Sequence, residues 1–452
     1  MRLFLFEMKK IWFRLTALAA LALGLLTYIA ITGPATADYG GDYSTYGKYK
    51  EQMFRQYGDT LEPEELADFD ISGQLAALHA EAQAIIDNNA VYAKYGVKTI
   101  EDISAISPFV ALDTDGANWL VSSSSLSITS DDAEIQAFNV DYAEMMGRLY
   151  SRDFGAEDSP GAAVAVDGQG IDSMVFVGVS GGVDGPMPRI AQLENLARRY
   201  AHLAGGENPA ALHSNEHSPR GAVVIKRTQA FLASDANNLI NHSLTNNYST
   251  LMAVYSVLAA VITLMLVAPV LVNDRARGLH HIQYAAGVGR GVFRTQCLAA
   301  LASSALVGTA VAVFGTVVFL METGAGMYWH TRVADYANSF VMYNPTFGQY
   351  VWLLAGLTVL LSVFTGCAAF LLARFSANIV ALMIKAVPTA VAMAFAAIFT
   401  QQNLLSDAGI LFAFILRGGV EFPEFILCGI LVFAGVVAAC VVTRRERYVD
   451  VA

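Results

Sequence analysis

Hydrophobic positions in this chain are gathered into long uninterrupted blocks separated by segments of ordinary polarity. A bilayer core about 30 Å thick needs about 20 apolar helical residues at about 1.5 Å rise each. Six stretches approach that length: Ile11 to Ile31, Leu251 to Val272, Cys297 to Met321, Tyr350 to Ala373, Ile379 to Thr400 and Phe425 to Thr443. Each is predicted to be a spanning helix, and a shorter run, Gly409 to Leu416, is too short to span. Between the first two blocks the pattern changes. Helical periodicity is clearest over Gln74 to Asn88, Ala133 to Tyr150 and Arg189 to Leu203, with Ser130 and Asp131 available as caps before the second. Strand-like runs are Ala162 to Val166, Met174 to Val179 and Ala222 to Ile225. The expected architecture is therefore a polytopic α-helical membrane protein with six transmembrane helices and a mixed α/β domain, mainly helical, inserted between helices 1 and 2. In residue ranges, 1–33 hold an interfacial helix and the first span, 34–247 the inserted domain, and 248–452 spans 2 to 6 with a loop at 273–295.

Charge orients this arrangement. The chain has 452 residues, 55% of them hydrophobic and 15% charged, with a formal net charge of −11. An acidic chain gives nucleic acid no electrostatic purchase. Residues 34–247 carry 30 acidic and 13 basic side chains, so the rest of the chain is net basic, with 15 basic and 9 acidic. Basic residues in short loops stay on the cytoplasmic side. Arg2, Lys9, Lys10, Arg14, Arg275, Arg277, Arg290, Arg294, Arg374, Arg444, Arg445 and Arg447 all fall on one side of a six-span threading, against Arg332 and Arg417 on the other. The expectation is a multi-pass cell-membrane protein with both termini cytoplasmic and residues 34–247 extracellular. Ala35-Thr36-Ala37 resembles a signal-peptidase site, whose use would leave five spans. The apolar stretch Leu15 to Ile31 is longer than a signal core, so the segment is read as a retained anchor. Ahead of it, Phe4, Leu5, Met8, Ile11 and Trp12 share one helical face and Arg2, Lys9, Lys10 and Arg14 the other, the pattern of an interfacial helix or of a basic flank that orients the first span.

Most candidate chemistry falls away on inspection. Cys297, Cys367, Cys428 and Cys440 all sit in apolar runs without disulfide or zinc spacing. His213-Ser214-Asn215-Glu216-His217 lies between Pro209 and Pro219 and lacks the HExxH order, which favours a solvated loop over a metal site. Ser122 to Ser125 has no Gly-x-Ser-x-Gly elbow around it, and the turns at Gly168-Gln169-Gly170 and Gly181-Gly182 lack the lysine and helix start of a phosphate loop. No catalytic, cofactor or metal residues are assigned. Apart from Arg14 near the start of the first stretch, Lys385 is the one charge inside a span, three residues before Pro388. Such a residue is a functional candidate by default, but its depth of about 10 Å lets it snorkel, and the structural reading is preferred. Gln401, Gln402 and Asn403 either line a path or cap the fifth span.

After the second span the chain reads Asn273-Asp274-Arg275-Ala276-Arg277-Gly278-Leu279-His280-His281-Ile282-Gln283-Tyr284-Ala285-Ala286-Gly287-Val288-Gly289-Arg290. Leu279, Ile282 and Ala286 are at helical spacing between Gly278 and Gly287, which predicts a short helix along the cytoplasmic surface, placed to meet a cytosolic partner. Here the sequence resembles the membrane subunits of ATP-binding cassette transporters, specifically the type 2 exporter permeases. The resemblance is carried by the opening Leu5-Phe6-Glu7-Met8-Lys9-Lys10-Ile11, by Asp274 four residues before Gly278 with Gly289-Arg290 beyond, and by six spans enclosing a large outer loop after the first. The family's usual glutamate is an aspartate here. The resemblance implies that Asp274, Arg277, Gly278, Leu279, Ile282 and Arg290 dock a P-loop ATPase subunit. It also implies that ATP and Mg are bound by that partner, that two permease chains pair as a homodimer or heterodimer in the bilayer, and that Gly409 to Leu416 dips into the outer face. The chain itself has no Gly-x-x-x-x-Gly-Lys-Ser/Thr stretch, so no P-loop ATPase activity is expected of it. The expected function is export of a lipid, peptide or antibiotic-like substrate, or ATPase-driven motion of the outer domain. The alternative is an anchored sensor or adhesion protein whose outer domain binds a ligand; an intramembrane enzyme would want paired acids or a nucleophile in the spans, and none is visible.

Overall fold

The computed structural model describes residues 2–13, 15–32, 47–105, 127–128, 133–150, 164–166, 175–177, 185–204, 230, 237–240, 242–278, 291–334, 343–402, 404–405 and 422–445. The chain divides into two compact units, residues 42–207 and the remainder, and each is taken by itself.

The larger unit opens with α1 (Arg2–Trp12) and α2 (Leu15–Thr27), the latter continuing as a π-helical turn over Tyr28–Thr32. Five long helices follow: α10 (His242–Ala276), α11 (Val292–Thr323), α12 (Phe347–Arg374), α13 (Ile379–Gln402) and α14 (Pro423–Arg445). All five are long and apolar enough to cross a membrane, and among the described residues a sixth crossing is reached only by counting α1 and α2, bent by 58°, as one span. The chain is thus a helical multi-pass membrane protein. Inside a bilayer the backbone must satisfy its own polar groups, so these apolar stretches fold as helices rather than as open strands. The elements run beyond the apolar blocks: α10 starts nine residues before Leu251, because the polar turns around Thr245 and Ser249 are themselves buried. Local signals set the ends. A capping box of Thr346 and Gln349 starts α12, and Gly324, at φ +65°, ends α11.

α10 lies at the centre, packed against α11, α12 and α13, with α14 outside on α12. At the Arg374 end the core is Val267, Val272, Cys297, Ala300, Phe370, Ala373, Leu382 and Ala439. Glycines admit close approach between α11 and α12. A Cβ at Gly366 would run into the Ser304 hydroxyl, and one at Gly308 would stand 2.8 Å from Ser362 Cβ.

The smaller unit is built mainly of helices. They are α3 (Gly47–Tyr57), α4 (Pro63–Asp68), α5 (Ile71–Asp87), α6 (Ala90–Lys94), α7 (Ile100–Ala105), α8 (Ala133–Tyr150) and α9 (Pro186–Tyr200). The periodicity expected over Gln74 to Asn88 and Arg189 to Leu203 falls within a few residues of α5 and α9, and α8 has the expected bounds. Three short strands, β1 (Ser127–Ile128), β2 (Val164–Val166) and β3 (Val175–Val177), pair antiparallel in the order β1-β3-β2, with Val164 opposite Val177. The expected strand at Ala222 to Ile225 and the caps Ser130 and Asp131 lie outside the described residues. Ala82, Ile86, Tyr92, Val97, Ile103, Met145 and Leu149 form the core, tied by a hydrogen bond from the Tyr92 hydroxyl to the Met145 carbonyl at 2.6 Å. Beside it, burial would raise the Asp141 carboxyl, but bonds donated by Lys94 and by the Tyr95 hydroxyl outweigh this and hold it below the usual carboxylate range.

Candidate functional site

Two groups of polar side chains are built into the membrane unit. The first is at the Arg374 end, where α1, α10 and α11 meet. Asp274 is in the last turn of α10, where the helix dipole disfavours a carboxylate, and it is buried. Lys10 of α1 pairs with it, and Gln296 of α11 donates a longer hydrogen bond of 3.4 Å. Glu7, also buried, stands 3.8 Å from Lys10. One turn further along, the Trp12 indole N–H donates to the Ser303 hydroxyl at 3.2 Å, and Ser303 donates to the Met8 sulfur at 3.3 Å. Removing one member of such a buried pair leaves an uncompensated charge, at a cost of about 3–5 kcal/mol.

The helical wheel of α1 puts Phe4, Leu5, Met8, Ile11 and Trp12 on an apolar face and Lys10 opposite; in the structure Leu5 is 55% exposed, Glu7 and Ile11 are buried and Lys10 turns inward. The reason is electrostatic: a buried carboxylate at a helix C-terminus needs a cation more than the helix needs one more apolar contact.

Just past Asp274, the Arg277 N–H still bonds to the Asn273 carbonyl at 3.1 Å, and Gly278 adopts φ +68°, the left-handed conformation that stops a helix. Arg277 is exposed. Leu279, Ile282 and Arg290 lie outside the described residues, as do His213 to His217, Ser122 to Ser125, both Gly-rich turns and Gly409 to Leu416. Lys385 is not drawn into the bundle. It is exposed and donates to the Phe375 carbonyl at 2.7 Å, so its charge reaches back to the turn that follows α12, as a snorkelling side chain does.

The second group runs through the middle of the bundle. The Ser256 and Thr358 hydroxyls are 2.8 Å apart, joining α10 to α12, and Thr263 and Ser362 repeat the link at 3.0 Å. Ser362 also donates to the Ser304 carbonyl of α11 at 2.7 Å. Gln401 completes the seam: its amide N–H2 reaches Ser256 at 2.8 Å, Thr358 at 3.0 Å and the Leu354 carbonyl at 3.1 Å. Its Oε1 is buried and accepts no hydrogen bond. Sequence reading raised Gln401 only as a cap or path lining. The sequence does carry one signal of the seam: Ser249, Ser256 and Thr263 are spaced by seven, a single stripe of a supercoiled helix.

Among the described residues no cluster of three or more His, Cys, Asp or Glu side chains could hold a metal ion. Together the two groups tie α10 at one end by charge and along its length through hydroxyls to α12, to Gln401 of α13 and, by the Tyr248–Thr316 contact at 2.8 Å, to α11. No family model, no curated protein and no solved structure matches the chain.

Proposed function

We propose that this chain is the membrane permease subunit of an ATP-binding cassette exporter of type 2 kind. The observation that carries the reading is the construction of α10. It is the most enclosed span, with 78% of its apolar window buried, and it ends at Asp274 and Gly278, directly before the segment whose pattern predicts a surface helix. A partner that moves residues 279–290 therefore pushes on the one helix in contact with α11, α12 and α13 together. In this reading the Arg374 end faces the cytoplasm, and Asp274, Arg277, Gly278, Leu279, Ile282 and Arg290 form or brace the seat of a P-loop ATPase that binds ATP and Mg. Two permease chains pair in the bilayer, and residues 34–247 form an extracellular mixed α/β domain. ATP-driven closure of the partner biases the bundle between two states, and the substrate is a lipid, peptide or antibiotic-like molecule.

Affinity purification of the tagged full chain from its native membranes tests this. A P-loop ATPase is expected in the eluate and is expected to be lost on Gly278→Pro or Leu279→Asp. Its consistent absence from the wild-type eluate contradicts the reading, and loss-free binding by both variants moves the seat elsewhere.

A further inference from the structure

We propose that the Arg374 end, with α1 at its edge, is a binding surface for acidic phospholipid headgroups. Two independent features of the described residues carry this. The first is the sorting of charge. The exposed charges at this end include Arg2, Lys9, Arg277, Arg294, Arg444 and Arg445, together with Lys385. The acids there, Glu7 and Asp274, are both buried and lie against Lys10. Among the described residues no exposed acid is left at this end to offset the cations. Glu322 and Glu424, the other described acids of this unit, sit at the opposite ends of α11 and α14.

The second is the chemistry of α1. Because its inward stripe is spent on Glu7, Lys10 and Ile11, the helix leaves Leu5 at 55% and Phe6 at 62% exposure, and Phe13, just past its end, at 79%. These apolar side chains stand on the same short element as Arg2 and Lys9, and the Lys9 ammonium lies 5.8 Å from the centre of the Phe13 ring. A soluble acidic protein would match the cations but leave the phenylalanines wet. A leaflet of acidic phospholipid matches both, with headgroup phosphates on the cations and acyl chains against the rings. The bend of 58° between α1 and α2 fits a helix lying along the surface followed by one that enters the bilayer.

This rests on the chain being a membrane protein and not on its having an ATPase partner, so it is tested on the full chain alone. The chain is reconstituted in phosphatidylcholine, and association of nitroxide-labelled phosphatidylglycerol and phosphatidylcholine is compared by electron spin resonance. Wild type is expected to prefer phosphatidylglycerol by about fivefold, the factor that one basic residue contributes at an anionic surface. The Arg2→Gln/Lys9→Gln variant is expected to lower that preference, the other cations of this end remaining, and Arg55→Gln in the smaller unit to change nothing. Should the double variant misfold, wild type still decides. Its preference should collapse as salt rises from about 0.01 M to about 1 M, where the screening length falls from about 30 Å to about 3 Å. Equal association of both lipids with wild type, or a preference that salt and the double variant both leave intact, overturns the proposal. Displacement by inorganic phosphate beyond that of chloride at equal ionic strength also overturns it, by marking a site for free phosphate.

Discussion

α10 and α13 are alike as strings of letters and unlike as parts of a protein. Their apolar windows have mean hydropathies of 2.5 and 2.0, and each helix contains one proline, Pro269 and Pro388. Yet 78% of the α10 window is buried and only 11% of the α13 window. Lipid and protein interior are equally apolar, so hydropathy identifies a span without saying what surrounds it. Small polar residues say more. α10 carries Ser249, Ser256 and Thr263 along one stripe, all buried and two of them bonded to α12, whereas α13 turns Ile384, Val387, Val391 and Phe395 outward and buries one amide at its end. A hydroxyl in a span is satisfied either by its own helix, as Thr389 and Thr400 of α13 donate to the Lys385 and Ala396 carbonyls, or by a neighbouring helix, as in α10, and only the second ties helices together.

The contrast can be broken first at the charged end of α10. Lys10→Met should leave Asp274 buried without its cation and destabilise the membrane unit by about 3 kcal/mol, read as a lowered denaturation midpoint in detergent. An unchanged midpoint would detach α1 from the integrity of α10. Next in size is a matched pair of insertions. Ala259 of α10 has no exposed surface and Ala392 of α13 is exposed. Ala259→Phe should cost about 1–3 kcal/mol by overpacking, and Ala392→Phe less than about 0.5 kcal/mol. Equal costs would mean that α13 is covered as fully as α10, by another chain. The smallest expected effect is at Gln401. Gln401→Leu removes the two amide hydrogens shared among three acceptors but also the buried Oε1 that accepts none, so the loss should be about 0.6 kcal/mol, the average for an interhelical bond in a bilayer. A much larger loss, measured by the same unfolding assay, would make Gln401 the principal tie between α13 and the bundle.

What the sequence disclosed follows the same division. The apolar blocks placed five helices to within a few residues at most ends, because the bilayer allows the backbone few alternatives. Side-chain periodicity found α5, α8 and α9, but α3, α4, α6 and α7 escaped: α4, α6 and α7 are five or six residues long, too short for a period to register, and α3 is strongly polar. At the candidate site, Asp274 and Gly278 were marked through the resemblance to type 2 exporter permeases that their spacing carries. The role of Lys10 was not, because its partner is 264 residues away and no local pattern encodes a contact at that separation. Gln401 was hidden likewise, since its three acceptors come from two other helices.

The account depends most on which side of the membrane each unit occupies. In a Cys440→Ala background, Arg55→Cys on the smaller unit and Arg277→Cys beside Gly278 both present exposed positions. With a membrane-impermeant maleimide on intact cells, Arg55→Cys should label fully and Arg277→Cys only after lysis. Labelling of Arg277→Cys in intact cells, with Arg55→Cys protected, would contradict the account.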